Sequence, residues 1–192
     1  MTDPIKAQRT TVTIGSLEVD GFQLPDGSYR MSQTQVAKCV AKDESNARKF
    51  LSSKAIKRLL GESYTPGKNE RIEVDSSSQT RGQTRFNSYS LEETVAFWLW
   101  EAYRGNSEAL ALCMALMIET LERRFDNSFG VTRTEAEYNQ ILSERVRQLE
   151  QDLRILGDAY AIEDDIKQEN QYLKQVLRES GIDPWGLPDS GE

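Results

Sequence analysis

Residues 28–61 read SYRMSQTQVAKCVAKDESNARKFLSSKAIKRLLG. Ser32 is placed to cap a short helix that turns Val36, Ala37 and Val40 to one side. Asp43 to Ser45 reads as a tight polar turn that caps a second helix, whose apolar face is Ala47, Phe50 and Leu51. A third helix follows through Ala55, Ile56, Leu59 and Leu60 and ends at Gly61. The positions left outside are basic: Lys38, Lys42, Arg48, Lys49, Lys54, Lys57 and Arg58 stand against Asp43 and Glu44, seven charges against two. A local balance of +5 in a chain of net charge −7 calls for an anionic partner, and nucleic-acid phosphate is the first candidate.

Two helices across a tight turn are the elements of a helix-turn-helix, whose second helix enters the major groove. With residues 45–54 in that part, Asn46, Arg48, Lys49, Ser52 and Ser53 are the side chains expected at the DNA. Asn pairs with an adenine edge, and Arg or Lys with guanine or phosphate. Lys54, Lys57 and Arg58 are expected on the backbone, where contacts position rather than specify.

Toward the N-terminus, residues 1–9 read as a frayed lead, and Thr10 to Tyr29 alternates between β-prone runs with turn signals at Asp20-Gly21 and Asp26-Gly27. On the other side the chain turns polar from Glu62 to Ser88, with Pro66-Gly67 marking a loop. RIEV (71–74) and TRFNSYS (84–90) then flank a polar tip that holds Arg81, with Arg85 just beyond it. This is a second hairpin, and its tip is either a solvated loop or a wing whose arginines reach phosphates or the minor groove.

Ser90-Leu91-Glu92-Glu93 fits a capping box, which accounts for the two glutamates as helix-start residues rather than a catalytic pair. In the helix that follows, Val95, Trp98, Leu99 and Ala102 are expected to face a core, and Gly105-Asn106 breaks it. Residues 107–125, SEALALCMALMIETLERRF, are apolar nearly all round and predict a buried central helix.

Beyond residue 130 the pattern changes. Leu142, Val146, Leu149, Leu153, Leu156 and Tyr160 are spaced 4, 3, 4, 3, 4, the alternation of a coiled-coil seam. Gly157 and the AYAIEDD stretch interrupt the register. Ile166, Leu173 and Leu177 resume it, with Asn170 polar at the seam. Self-association into a dimer is the expected use, and an antiparallel return onto the preceding domain is the other arrangement the break allows. The tail from 181 to 192, with its lone Trp185, is expected to be disordered or extended.

Charge divides along the same boundary. Residues 1–130 sum to zero and residues 131–192 carry the whole −7, while residues 28–90 hold twelve basic against six acidic side chains. The expected organisation is therefore α+β, a small helix-turn-helix-containing domain with β-hairpins over 10–130. A long α-helical coiled coil over 131–180 and the tail follow it.

The same inventory removes other chemistry. The chain has no histidine, which excludes a histidine base, triad or metal ligand. Cys39 and Cys113 are far apart and read as reduced core thiols, not a zinc site. No glycine-rich phosphate loop precedes a helix. No enzyme activity, metal or cofactor is expected. No run of 18 apolar residues is present, nor an apolar leader, so the expected compartment is the cytoplasm.

At this point residues 12–127 resemble the KilA-N family, DNA-binding domains of phage and large-virus proteins related to fungal APSES-type regulators. DGSYRMSQTQVAKCVAKDESNARKFLSSKAIKRLL is similar to that family's opening half, with Phe50-Leu51 where the family usually has Trp-Leu. RFNSYSLEETVAFWLWEAYRGNSEALALCMALMIETL resembles its closing half, a strand running into two apolar helices. Met31-Ser32-Gln33-Thr34 replaces the usual Asn-Ala-Thr, and Ser90-Leu91 the usual His-Pro. The resemblance implies DNA binding in regulation or phage antirepression. The expected function is a transcriptional regulator that binds double-stranded DNA as a coiled-coil dimer. The rival is an adaptor or antirepressor that holds a protein partner through the acidic C-terminal part and does not touch DNA.

Overall fold

The computed structural model describes the backbone of residues 6–64, 71–74 and 85–182, and the side chains of 7–64, 87–157 and 166–182. The fold is α+β, and the chain divides into two compact units, Met1–Glu150 and Gln151–Glu192. The first is called the lobe below.

Among the described residues five strands, β1 Lys6–Ile14, β2 Leu17–Gln23, β3 Tyr29–Ser32, β4 Arg71–Val74 and β5 Arg85–Ser90, lie in the order β1-β2-β3-β5-β4. Each pairing is antiparallel except that of β4 with β1, which closes the ring in parallel. The lead is not frayed throughout, since β1 begins at Lys6. The first hairpin also turns elsewhere than expected. Ile14 pairs with Leu17 across Gly15-Ser16, and Gly15 supplies the left-handed φ of +61°. Asp20-Gly21 sits mid-strand, where a Cβ on Gly21 would come within 2.7 Å of Val12 Cγ2. That glycine serves a close strand approach, not a turn. Asp26-Gly27 does connect β2 to β3, with Gly27 at φ +83° and Ser28 bonded back to Asp26. The β4–β5 pairing makes the second hairpin, and its tip with Arg81 lies outside the described residues.

The described residues also form six helices: α1 Gln33–Lys38, α2 Glu44–Leu51, α3 Lys54–Leu60, α4 Leu91–Tyr103, α5 Ser107–Phe129 and α6 Glu135–Glu179. Their starts follow local chemistry. Ser32 caps α1, Ser53 caps α3, Asn106 caps α5, and Ser90 with Glu93 forms the full capping box of α4. The link from α1 to α2 spans Cys39–Asp43, so Ser45 belongs to the helix rather than to the turn. There Lys42 N–H bonds Ala37 O and Ala41 N–H bonds Lys38 O, a Schellman ending that puts Ala41 at φ +51°.

One core joins the two halves of the lobe. Val36, Val40, Ala47, Phe50 and Ile56 from α1–α3 meet Tyr89, Phe97, Trp98 and Leu112 from β5, α4 and α5. The rings of Phe50 and Phe97 are 5.5 Å apart. Val19 enters this core from one face of β2, while Phe22 on the other face packs with Ala7 and Leu24.

Three expectations about burial are corrected. In α4 the side chains packed inward are Ala96, Phe97 and Trp98, and Val95 and Leu99 are 49 % and 41 % exposed. Leu59 of α3 is also exposed. Helix α5 is not buried all round, because its second half leaves large apolar side chains in solvent. Helix α6 runs unbroken through Gly157. Among the described residues no helix is long and apolar enough to cross a membrane.

Candidate nucleic-acid interface

The basic segment is held from behind by bonds to the backbone of α1, of α2 and of the link between them. Tyr89 Oη donates to Ala47 O at 2.6 Å, Trp98 Nε1 to Val36 O at 2.9 Å, and Asn106 Nδ2 to Val40 O at 2.8 Å. Each anchor comes from the closing half of the lobe and ends on the opening half. Burial pushes the Tyr89 phenol well above the ordinary tyrosine range, so it stays a donor at any physiological pH. On the strand side, Arg9 forms a two-point ion pair with Asp20 at 2.8 Å, and Asp20 exchanges two 3.1 Å bonds with Gln35 of α1.

With Ala47, Phe50, Ala55 and Ile56 committed to the core, helical geometry turns other positions outward. Arg48 and Lys49 on α2 and Lys54, Lys57 and Arg58 on α3 are all exposed. Arg48, Lys49, Lys57 and Arg58 stand in the last turns of their helices, where cations also offset the negative end of the helix dipole. Lys54 opens α3, where that dipole disfavours a cation, so helix electrostatics do not account for it.

The serines are hydrogen-bonded to nearby backbone, and the asparagine is only partly exposed. Ser53 Oγ donates to Phe50 O at 2.7 Å and accepts from Ala55 N–H at 3.2 Å, which makes it a helix cap first. Ser52 is exposed and donates to Lys49 O, and Asn46 is half-buried on the flank of α2. Arg85 is placed by the β5 backbone opposite Glu73, and its side chain lies outside the described residues.

Two of the cations counted in the sequence stand apart from this face. Lys42 faces the buried carboxylate of Glu101 at 3.9 Å. Lys38 lines a 480 Å³ cleft shared with Glu108, Glu144, Arg147 and Glu150. The Arg9–Asp20–Gln35 brace has no counterpart in the sequence reading. It joins residues 11 and 15 positions apart through the β1–β2 register, and a local motif carries no trace of that.

The residues spaced as a coiled-coil seam do not share one environment. Leu142 is buried and Val146 packs on the lobe core, while Leu149, Leu153 and Leu177 are half-buried and Leu156, Ile166 and Leu173 are exposed. No family model matches this chain, and no curated protein or solved structure matches it.

Proposed function

We propose that the chain is a DNA-binding transcriptional regulator of KilA-N type. Helices α1 and α2 act as a helix-turn-helix, and the lobe holds the duplex on the cations of α2 and α3. The observation that supports it best is the exposure of Arg48, Lys49, Lys54, Lys57 and Arg58 on two consecutive helices whose opposite faces fill the core. Arg48 and Lys49 are the groove-facing pair, and the three cations of α3 take phosphates. Exposed apolar positions of α6 beyond residue 150 pair two chains as a coiled coil, which suits a two-fold site.

Fluorescence anisotropy of the full chain against mixed duplex DNA tests this reading. At about 50 mM salt the parent binds, and its affinity falls steeply as salt rises. The Lys57→Ala/Arg58→Ala variant should flatten the slope of log K against log salt by about 2, roughly one unit for each lost phosphate contact. No binding by the parent at low salt, or an unchanged slope in the variant, overturns the proposal in favour of the adaptor reading.

A further inference from the structure

Helix α2 meets solvent with an acid at its leading end. Glu44, its first residue, is exposed, on the same side of the helix as Arg48 one turn further on. The helix dipole accounts for a negative charge at that end. It does not account for the way this one is held. Gln33, the first residue of α1, is 2 % exposed and donates through Nε2 to Glu44 O at 3.2 Å. Thr34 beside it donates through Oγ1 to Glu44 Oε2 at 2.9 Å. The backbone and the carboxylate of one residue are both fixed from the first turn of α1.

Simpler uses of these side chains are passed over. A Glu four residues before an Arg is the order that favours an ion pair along a helix, yet the carboxylate is bonded back to Thr34. A buried amide costs stability where one of its ends is left unbonded, and among the described residues Gln33 Oε1 accepts no hydrogen bond. Stability alone favours neither arrangement. Their joint effect is to hold an exposed carboxylate in one place at the tip of α2.

In a helix-turn-helix the leading residues of the second helix reach the base edges. A carboxylate accepts hydrogen bonds and donates none. In the major groove guanine offers N7 and O6 and thymine offers O4, all acceptors, and the N6 donor of adenine lies beside its N7 acceptor. Cytosine offers the N4 donor alone. The same charge repels phosphate, so it weakens attraction to DNA in general while it favours one base.

Resting on the reading of α1 and α2 as a helix-turn-helix, we propose that Glu44 is a specificity-determining residue that accepts from N4 of a cytosine. Gln33 and Thr34 are the positioning residues that hold it.

Selection from a random duplex library by the full chain, at about 50 mM salt and with sequencing of the bound fraction, tests it. The parent should select a motif in which one C·G pair is preferred at least about 5-fold over any other pair. In Glu44→Gln the amide presents a donor and an acceptor together, the pattern that matches N6 and N7 of adenine, so the preference at that one position should change from cytosine to adenine. In Glu44→Ala it should fall below about 2-fold, while affinity for mixed duplex DNA rises because a like charge has left the phosphates. Thr34→Val keeps the size of the side chain and removes the tether, and should weaken the cytosine preference with mixed-duplex affinity held within about 2-fold. Both substituted side chains are solvent-exposed, and an unchanged preference at the other positions of the motif shows that each variant folds. A parent that binds duplex without selecting bases, or a motif that Glu44→Gln leaves as it was, overturns the role of Glu44 and leaves the DNA-binding reading standing. A parent that binds no duplex at low salt overturns both.

Discussion

Between Glu135 and Glu150, helix α6 is tied to the rest of the lobe at almost every turn. Tyr138 Oη donates to Asp126 at 2.9 Å beneath the guanidinium of Arg123, and Arg145 makes a two-point pair with Glu122. Gly15 N–H donates to Asn139 Oδ1 at 3.0 Å, and Leu142 packs where a Cβ on Gly15 would stand 3.4 Å away. From Gln151 to Glu179 the same helix continues the same kind of apolar spacing, yet Ile155, Leu156, Ile166 and Leu173 are about half exposed or more. The 4-3 rhythm makes an apolar seam in both stretches. What fills the seam is decided by residues far away in the chain, here the β1–β2 turn and the last turns of α5.

That contrast can be broken by mutation. The largest effect belongs to Leu142→Ala, which empties a site only 1 % exposed and should cost about 2–5 kcal/mol in urea unfolding followed by tryptophan fluorescence. A loss below about 1 kcal/mol would mean that this stretch of α6 is not part of the lobe. An intermediate effect of opposite sign tests how helices end. Helix α6 closes on Gly181 at φ +74°, whereas α1 closes with the same bonding on Ala41 at φ +51°. An alanine there carries a penalty of roughly 1–2 kcal/mol that glycine avoids, partly offset by glycine's greater freedom when unfolded. Ala41→Gly should therefore raise the urea midpoint by the equivalent of about 0.5–1 kcal/mol, and a lowered midpoint would refute the strain. The smallest effect is Leu173→Ala. With Leu173 49 % exposed, the same unfolding transition should move by no more than about 0.5 kcal/mol. A shift rivalling that of Leu142→Ala would erase the distinction between the two stretches.

Much of the fold was legible because its signals are local. Ser32, Ser90 with Glu93, and Asn106 next to Gly105 mark helix ends within four residues of themselves, and all three mark real ones. Asp20-Gly21 misled because a strand glycine and a turn glycine look alike until the neighbouring strand is in place, and Val12 lies on that neighbour. Val95 and Leu99 misled for a related reason. VAFWLW is apolar on most sides, so periodicity alone does not choose which side Phe50 and Tyr89 will occupy. At the candidate interface the cations were countable, but Ser53's role as a cap and Lys42's approach to Glu101 were not. Glu101 is supplied by the packed chain, whereas Ser53 bonds its near neighbours Phe50 and Ala55, and reading 45–54 as one helix hides the break that makes it a cap.

The sequence by itself determined the α+β class, the caps, the concentration of positive charge in residues 28–90 and the acidity after residue 130, since each is written in side chains a few positions apart. Only the tertiary structure decided which of those cations reach solvent, which face of α5 is left bare, and where along α6 the seam stops being core. Those outcomes depend on which surfaces meet, and contacts of that kind, such as Tyr89 with Ala47 or Gly15 with Asn139, join residues 42 and 124 positions apart.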